Sequence, residues 1–277
     1  MSLPDYIPDA KVFMLIKTYP NLSKKYGELV CVAGICQGQL IRIYPIKFRN
    51  LEEHRRFKKY QWISVSLRKR PRSKDFRLES YSPEGDITPL EHIDKSTYSD
   101  FWQRRMKIIG EVPMYRNLQV LIDESKREPF PSLAILKPTK ILDFVIEETK
   151  RDWSGAQKAY FMQTDLFEKI EPLTLKKLPY KYSYRFLTED GKERTLMIED
   201  WEIGVLFWNC LKSSNGDETI ANVKVREKYI AIAKKPNVFF FIGTSLAHHK
   251  KSPNPFIIIG VGAPKTDINA QQLELFE

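Results

Sequence analysis

The 277-residue sequence has no apolar run approaching the ~18 residues of a membrane-spanning helix. Residues 1–11 lack the basic and apolar regions of a secretory signal. These two absences predict a cytoplasmic protein with no membrane partner. Cysteine is scarce: Cys31, Cys36 and Cys210 are odd in number and sit in apolar surroundings, which argues for buried, reduced thiols rather than a disulfide framework. Cys31 and Cys36 have no third or fourth ligand at zinc spacing. The familiar phosphate cradles are missing too. Gly260-Val261-Gly262 lacks a third glycine and a following helix, and there is no P-loop. No Gly-x-Ser-x-Gly elbow is present, and His248-His249 stand beside Lys250 and Lys251 without a metalloprotease context. That histidine pair is expected to be exposed. Repeats, heptads and low-complexity segments are absent.

Positive charge is plentiful, and it is concentrated. The net charge is +10, and the window 42–77 holds thirteen Lys/Arg against three Asp/Glu. The other 241 residues carry 32 of each sign and sum to zero. A local surplus of this density is the electrostatic footprint of a phosphate backbone, so nucleic acid, DNA by preference, is the expected partner. The candidate contacts are Arg55, Arg56, Lys58, Lys59, Arg68, Lys69, Arg70, Arg72 and Lys74. Hydrophobic content of 42% is enough for a packed core around such a patch.

Along the chain, β-branched runs predict strands over 12–18, 29–35 and 39–46, with Gln37-Gly38 turning the last two into a hairpin. Asn50 and Glu53 have capping-box spacing, which predicts a short helix over 51–59 that exposes its cations and anchors on Phe57. Trp62, Ser64 and Ser66 alternate with Ile63, Val65 and Leu67 as a half-buried strand. Pro71 breaks the basic loop over 68–74. Short strands, basic loops and interleaved aromatics indicate a small β-barrel with added helices over 96–109 and 114–126. Strands over 133–136 and 141–146 follow. A proline-bearing stretch over 169–179 is the expected junction. Beyond it, a hairpin turning at Asp190-Gly191, helices over 199–211 and 217–234, and apolar strands over 238–242 and 255–261 make a ββααββ unit. The expected class is α+β: a basic β-rich domain over 1–170, an α+β domain over 171–264, and a flexible tail over 265–277.

The tail carries a motif. Gln272-Leu273-Glu274-Leu275-Phe276 resembles the short peptide by which bacterial polymerase subunits and repair proteins dock on the sliding clamp. The resemblance implies clamp binding through Gln272, Leu273, Leu275 and Phe276. The glutamine amide would fix orientation while Leu275 and Phe276 fill an apolar pocket. Glu277 after Phe276 favours the bacterial type of clamp over the box that ends in two aromatics. Gln163-Thr164-Asp165-Leu166-Phe167 fits the same consensus inside the chain.

No cofactor is evident, and Mg²⁺ is expected only if the protein is a nuclease. Glu148-Thr149-Lys150, with Asp143 before it, faintly resembles the carboxylate–x–lysine element of restriction-type nucleases, which makes Asp143, Glu148 and Lys150 the catalytic candidates. The leading expectation is a nucleoid-associated accessory protein that binds nucleic acid and docks on the clamp. The alternatives are a metal-dependent nuclease of repair or phage defence and a protein–protein adaptor.

Overall fold

The computed structural model describes residues 3–19, 21–23, 27–46, 48, 51–153, 155 and 176–264. The clamp-like peptides at 163–167 and 272–276, and Asn50, lie outside the described residues. The first third of the chain forms β1 (Tyr6–Lys17), β2 (Asn21–Ser23), β3 (Gly27–Cys36), β4 (Gln39–Ile46), β5 (Gln61–Lys69) and β6 (Ser80–His92). The strand order β1-β5-β6-β4-β3 closes on itself because β3 also pairs with β1. The closure is a five-stranded barrel, to which β2 adds a short edge. All its pairings are antiparallel except β4–β6. Without β2, the third strand is therefore parallel to the fifth, the connectivity of the OB-type Greek-key barrel. Alternation fills the inside with Val12, Met14, Val32, Ile41, Ile43, Ile63, Val65 and Leu67.

β6 is a finding that sequence pattern did not anticipate. Pro83 and Pro89 lie within it, although proline cannot donate to a ladder. Its pairing with β4 ends at Tyr81, so beyond that point β5 is the only strand paired with β6 among the described residues. Two missing N–H groups on a free edge cost little. The helix expected over 51–59 is also corrected: only a 3-10 turn, Glu53–Arg55, forms there. Arg56 turns extended, and this delivers Phe57 to an edge-on contact with Phe48 at 5.0 Å. Phe57 is the buried anchor that was expected.

The rest of the chain adds α1 (Phe101–Ile109), β7 (Met114–Tyr115), α2 (Leu118–Ser125), β8 (Leu133–Leu136) and β9 (Lys140–Glu148). Then come β10 (Tyr180–Leu187), β11 (Glu193–Met197), α3 (Trp201–Ser213), α4 (Glu218–Ala233), β12 (Phe239–Thr244) and β13 (Phe256–Gly262). The architecture is α+β, as expected. The helix expected over 114–126 begins only at Leu118. Met114 and Tyr115 pair with β8 instead, and the Asn117 side chain caps the helix by accepting from the Gln119 amide. The expected junction over 169–179 does not separate sheets. β9 pairs with β10 across it, and β8 pairs with β12. The second unit therefore starts near β7.

Two sheets build that unit, β11-β10-β9 and β13-β12-β8-β7. The second sheet is buried on both faces. Phe240 and Ile242 join the helical core with Phe144, Tyr184, Phe207 and Val225. Phe239 and Phe241 face the other way, onto Phe13, Leu15, Ala33 and Ile35 on the outside of the barrel. The barrel and the second unit thus share one apolar seam.

A polar lock closes the other end of that seam. The Tyr19 hydroxyl donates to the Lys176 carbonyl and accepts from the Trp208 indole at 2.8 Å. Its ring lies over Gly204 of α3, where an added Cβ would stand 2.1 Å from the ring. Helix propensity alone favours alanine by about 1 kcal/mol. Overpacking at this contact reverses the sign, so Gly204→Ala should lower stability by roughly 1–3 kcal/mol. Chemical denaturation of the two proteins checks this, and a stabilised variant would show that Tyr19 does not pack there.

Candidate nucleic-acid interface and the cavity beneath it

The nine predicted cations do not form one surface. Arg55 pairs with Asp86 at 2.6 Å, and the Arg56 Nε donates to the Leu51 carbonyl. Arg68 forks onto Glu84 and stacks over Tyr6 on the outside of the barrel. Lys69 donates to the Leu3 carbonyl at 3.2 Å and stands 3.8 Å from Asp5. Lys58 is exposed.

Lys59 was expected at the surface and is not there. Its side chain is 12% exposed, bonds Glu202 at 2.8 Å and lies 3.7 Å from Asp200. Asp200 caps α3 by accepting from the Glu202 amide. Burial pushes Asp200 up to about 6, against the pull of Lys59. The carboxylates at the start of α3 hold Lys59 inside, so it anchors the barrel to the helix.

Arg70 is withdrawn as well. Its Nη1 donates to the Tyr44 carbonyl at 2.9 Å, its guanidinium covers the Tyr44 ring, and its Nε is buried without a hydrogen-bond acceptor. Two arginines that were not predicted as site residues lie close by. Arg42, on the outer face of β4, donates to the Ser132 hydroxyl at 2.8 Å and to the Thr244 carbonyl at 3.3 Å. Arg77 donates to the same carbonyl at 2.8 Å and forks onto Asp75 at 2.8 and 2.7 Å. Burial and the neighbouring Arg77 push Arg42 down to about 10, so it stays charged at neutral pH.

What remains outside is a basic rim built from three loops. The turn over 71–74 carries Arg72 and Lys74, the segment after α2 carries Lys126 and Arg127, and the β12–β13 connection carries Lys250 and Lys251, all exposed. Named contacts bring the three together. Arg72 pairs with Glu128 at 2.8 Å, and Phe76 meets Phe130 edge-on at 5.7 Å and His249 at 5.1 Å. The Lys250 ammonium lies 4.2 Å from the centres of both phenylalanine rings. Lys250 and Lys251 fall outside the charged window, so sequence spacing gave no sign that they join it.

His249 was expected to be exposed with its neighbour. Only His248 is; His249 is 1% exposed. Its Nε2 donates to the Ser125 carbonyl at 2.8 Å and its Nδ1 accepts from the Thr244 hydroxyl at 2.7 Å. The ring pins the β12–β13 loop to α2.

Between the outer face of the barrel and this loop lies a cavity of about 350 Å³. Arg42, Arg70 and Arg77 line it, with Asp75 and Glu199, and Leu133, Ile257 and Ile259 add apolar surface. Burial pushes Glu199 up, while the Arg77 guanidinium holds Asp75 below its ordinary value despite burial.

The nuclease candidates do not converge with this site. Arg226 binds Asp143 at 2.7 Å, and Arg151 ties Glu148 to Glu218. Lys150 is exposed. Among the described residues, no group of three or more His, Cys, Asp or Glu side chains is placed to hold a metal ion.

A family model matches residues 116–277, more than half of the chain. The chain belongs to the family described as Domain of unknown function (DUF8757). A second model, Domain of unknown function (DUF8758), matches residues 8–111, which contain the barrel strands and α1. No curated protein matches. Among solved structures, a chain from a replication protein A heterotrimer bound to ssDNA is 10% identical, with 96% of this chain and 67% of that one covered and a TM-score of 0.32. A murine DNA binding protein bound with ds DNA is 10% identical over 95% of this chain and 100% of that one, at 0.31. A third chain, from a structure on the molecular basis for abrogation of activation of pro-inflammatory cytokines, is 8% identical over 70% and 76%, at 0.27. Likenesses this slight carry no functional argument.

The rim has a pH dependence through His249. Burial and the nearby Arg77 and Arg42 charges lower its pKa, against the Ser125 carbonyl and Glu79. Its neutral form is the folded form. The stability it contributes is therefore present above about pH 6.5 and is lost as pH falls through the lower folded value. Asp200, with a raised pKa, acts in the opposite sense between about 4 and 6. Comparison with His249→Gln cancels the Asp200 contribution. Thermal melts from pH 7.5 to 5 should fall more steeply for the parent than for the variant, and parallel curves would mean the imidazole is not held neutral.

Proposed function

We propose that the protein binds nucleic acid, DNA by preference, through the three-loop basic rim, and that the peptide Gln272–Phe276 docks it on a bacterial sliding clamp. The observation that carries the first half is the convergence of Arg72, Lys74, Lys126, Arg127, Lys250 and Lys251 around the Phe76–Phe130–Lys250 contact. One aromatic pair holds cations from three distant segments on one face, the arrangement a phosphate backbone needs. The loop carrying Arg72 and Lys74 joins the fourth and fifth strands of the five-stranded barrel. In OB-type barrels that loop is one of the two that contact oligonucleotides, a fold-level analogy that supports the reading without carrying it. Arg55, Arg56 and Arg68 sit elsewhere on the barrel and take no part in this face.

Docking supplies location rather than affinity. Burying Leu275 and Phe276 contributes roughly 1.5–3 kcal/mol each. Ordering five or six residues offsets much of this at about 1–2 kcal/mol per residue. A micromolar contact is the expected strength, near −8 kcal/mol, and it requires the Gln272 and main-chain bonds as well. Two weak contacts on one chain raise effective concentration, so neither has to be tight.

Two measurements test the two halves separately. In a binding titration against salt, replacing Arg72, Lys74, Lys250 and Lys251 by alanine should flatten the slope by about one unit per lost contact. Replacing Arg55 and Arg68 should leave it unchanged, and equal slopes for the parent and the fourfold variant would remove the rim from the interface. For the tail, calorimetry with a bacterial clamp should detect the parent and not the variant Leu275→Ala, Phe276→Ala, whose melting temperature should match the parent's. A variant that melts several degrees early would make the peptide a structural staple instead.

A further inference from the structure

The cavity below the rim has the makings of a binding site of its own. Three guanidiniums line it against one firmly ionised carboxylate, Asp75. Glu199, the other carboxylate on the wall, is biased by burial toward its neutral acid. Even with Glu199 ionised, three guanidiniums face two carboxylates, so the wall carries a surplus of at least one positive charge in a setting where charge is costly to leave uncompensated. Arg42 and Arg77 spend their donors on Ser132, Thr244 and Asp75. Arg70 spends its Nη1 on the Tyr44 carbonyl and the Ser82 hydroxyl, but its Nε is buried with no hydrogen-bond acceptor, and the Asp75 carboxylate is 3.9 Å away. A buried, charged N–H without a partner loses the full desolvation cost of that group.

Part of the lining is apolar, from Leu133, Ile257 and Ile259, with the Tyr44 ring beside Arg70. A volume of about 350 Å³ is at the small end of ligand pockets, which run from roughly 300 to 1,000 Å³. It has room for one small molecule with an anionic end and a flat or apolar body, not for a run of nucleotides.

We propose that this cavity binds a single nucleoside 5′-phosphate, with the phosphate held among the three arginines and the base against the apolar lining. The nucleotide comes either as a free monophosphate or as the phosphorylated end of a strand, and both present the same chemistry. The inference stands on the cavity alone and does not require that the rim bind a backbone.

The experiment is calorimetric titration of the full chain with each of the four deoxynucleoside 5′-monophosphates and with the matching nucleosides. Binding tighter than about 1 mM is expected for at least one monophosphate and for no nucleoside. Arg70→Leu should weaken it at least about tenfold, the loss of one charge-assisted hydrogen bond. Ala247→Trp, at an exposed position on the cavity wall, should block it without touching the arginines. The fourfold rim variant should bind the monophosphate like the parent, which separates failure of the cavity from failure of the rim. A 5′-phosphorylated oligonucleotide that binds more tightly than its 5′-hydroxyl twin, with the difference lost in Arg70→Leu, identifies a strand end. Binding of the monophosphate without that preference identifies a free nucleotide. Binding by no monophosphate with no preference between the oligonucleotides overturns the proposal, as does binding unchanged in folded Arg70→Leu and Ala247→Trp.

Discussion

The carbonyl oxygen of Thr244 accepts from two arginines at once, Arg42 at 3.3 Å and Arg77 at 2.8 Å. Much of the molecule depends on that junction. Arg42 stands on the outer face of β4, Arg77 follows the basic turn, and Thr244 ends β12, so one acceptor ties three elements separated by up to 202 residues. Two buried guanidiniums side by side would ordinarily repel, and burial lowers Arg42 toward about 10. Asp75 and the Ser132 hydroxyl supply the compensation. Removing one partner from such a buried set typically costs 3–5 kcal/mol, because the remaining charge is stranded. The apolar seam holds the second sheet against the barrel. The arginine junction decides where along the barrel it sits.

The same junction sorts the basic residues into two populations that sequence cannot tell apart. Arg42, Lys59, Arg70 and Arg77 face inward onto carbonyls and carboxylates, while Arg72, Lys74, Lys250 and Lys251 face solvent. A charge count along the chain weighs all of them equally. Long-range electrostatics makes no such distinction either, but salt does: ions screen the outer group far more than the buried one. Much of the +10 surplus in the window is consequently architectural, and the solvent-facing rim is completed from the far end of the chain.

Legibility in the sequence followed the range of the interaction. Four of the five barrel strands, the Gln37-Gly38 turn, the Asp190-Gly191 hairpin and the paired helices were readable because each rests on local periodicity or turn chemistry. Phe57 as an anchor and β12 as an apolar strand were readable for the same reason. β6 was hidden because Pro83 and Pro89 argue against a strand unless one knows that the edge beyond Tyr81 is free. The helix at 51–59 looked sound by capping and failed because tertiary packing of Phe57 on Phe48 overrode it. The junction was set too late because strand pairing across residues 149–179 leaves no mark in composition. His249 looked like its exposed neighbour; its contacts with Ser125, 124 residues away, and with Phe76 withdraw it.

The rim and the cavity are not independent surfaces, because the same two segments wall both. Arg70, Asp75 and Arg77 lie on the cavity side of the basic turn, with Arg72 and Lys74 on its outer side. Ser245, Leu246 and Ala247 line the cavity, and Lys250 and Lys251 follow in the same loop. Neither loop is free to move alone: Phe76 packs on His249, and His249 is fixed to α2 through Ser125. A ligand that orders these loops from inside must lower the cost of ordering them from outside. By linkage the converse holds to the same degree. Any coupling between small-anion binding and backbone binding would run through the contacts that join the loops: Phe76 on His249, Lys250 over Phe76, and Arg77 on the Thr244 carbonyl.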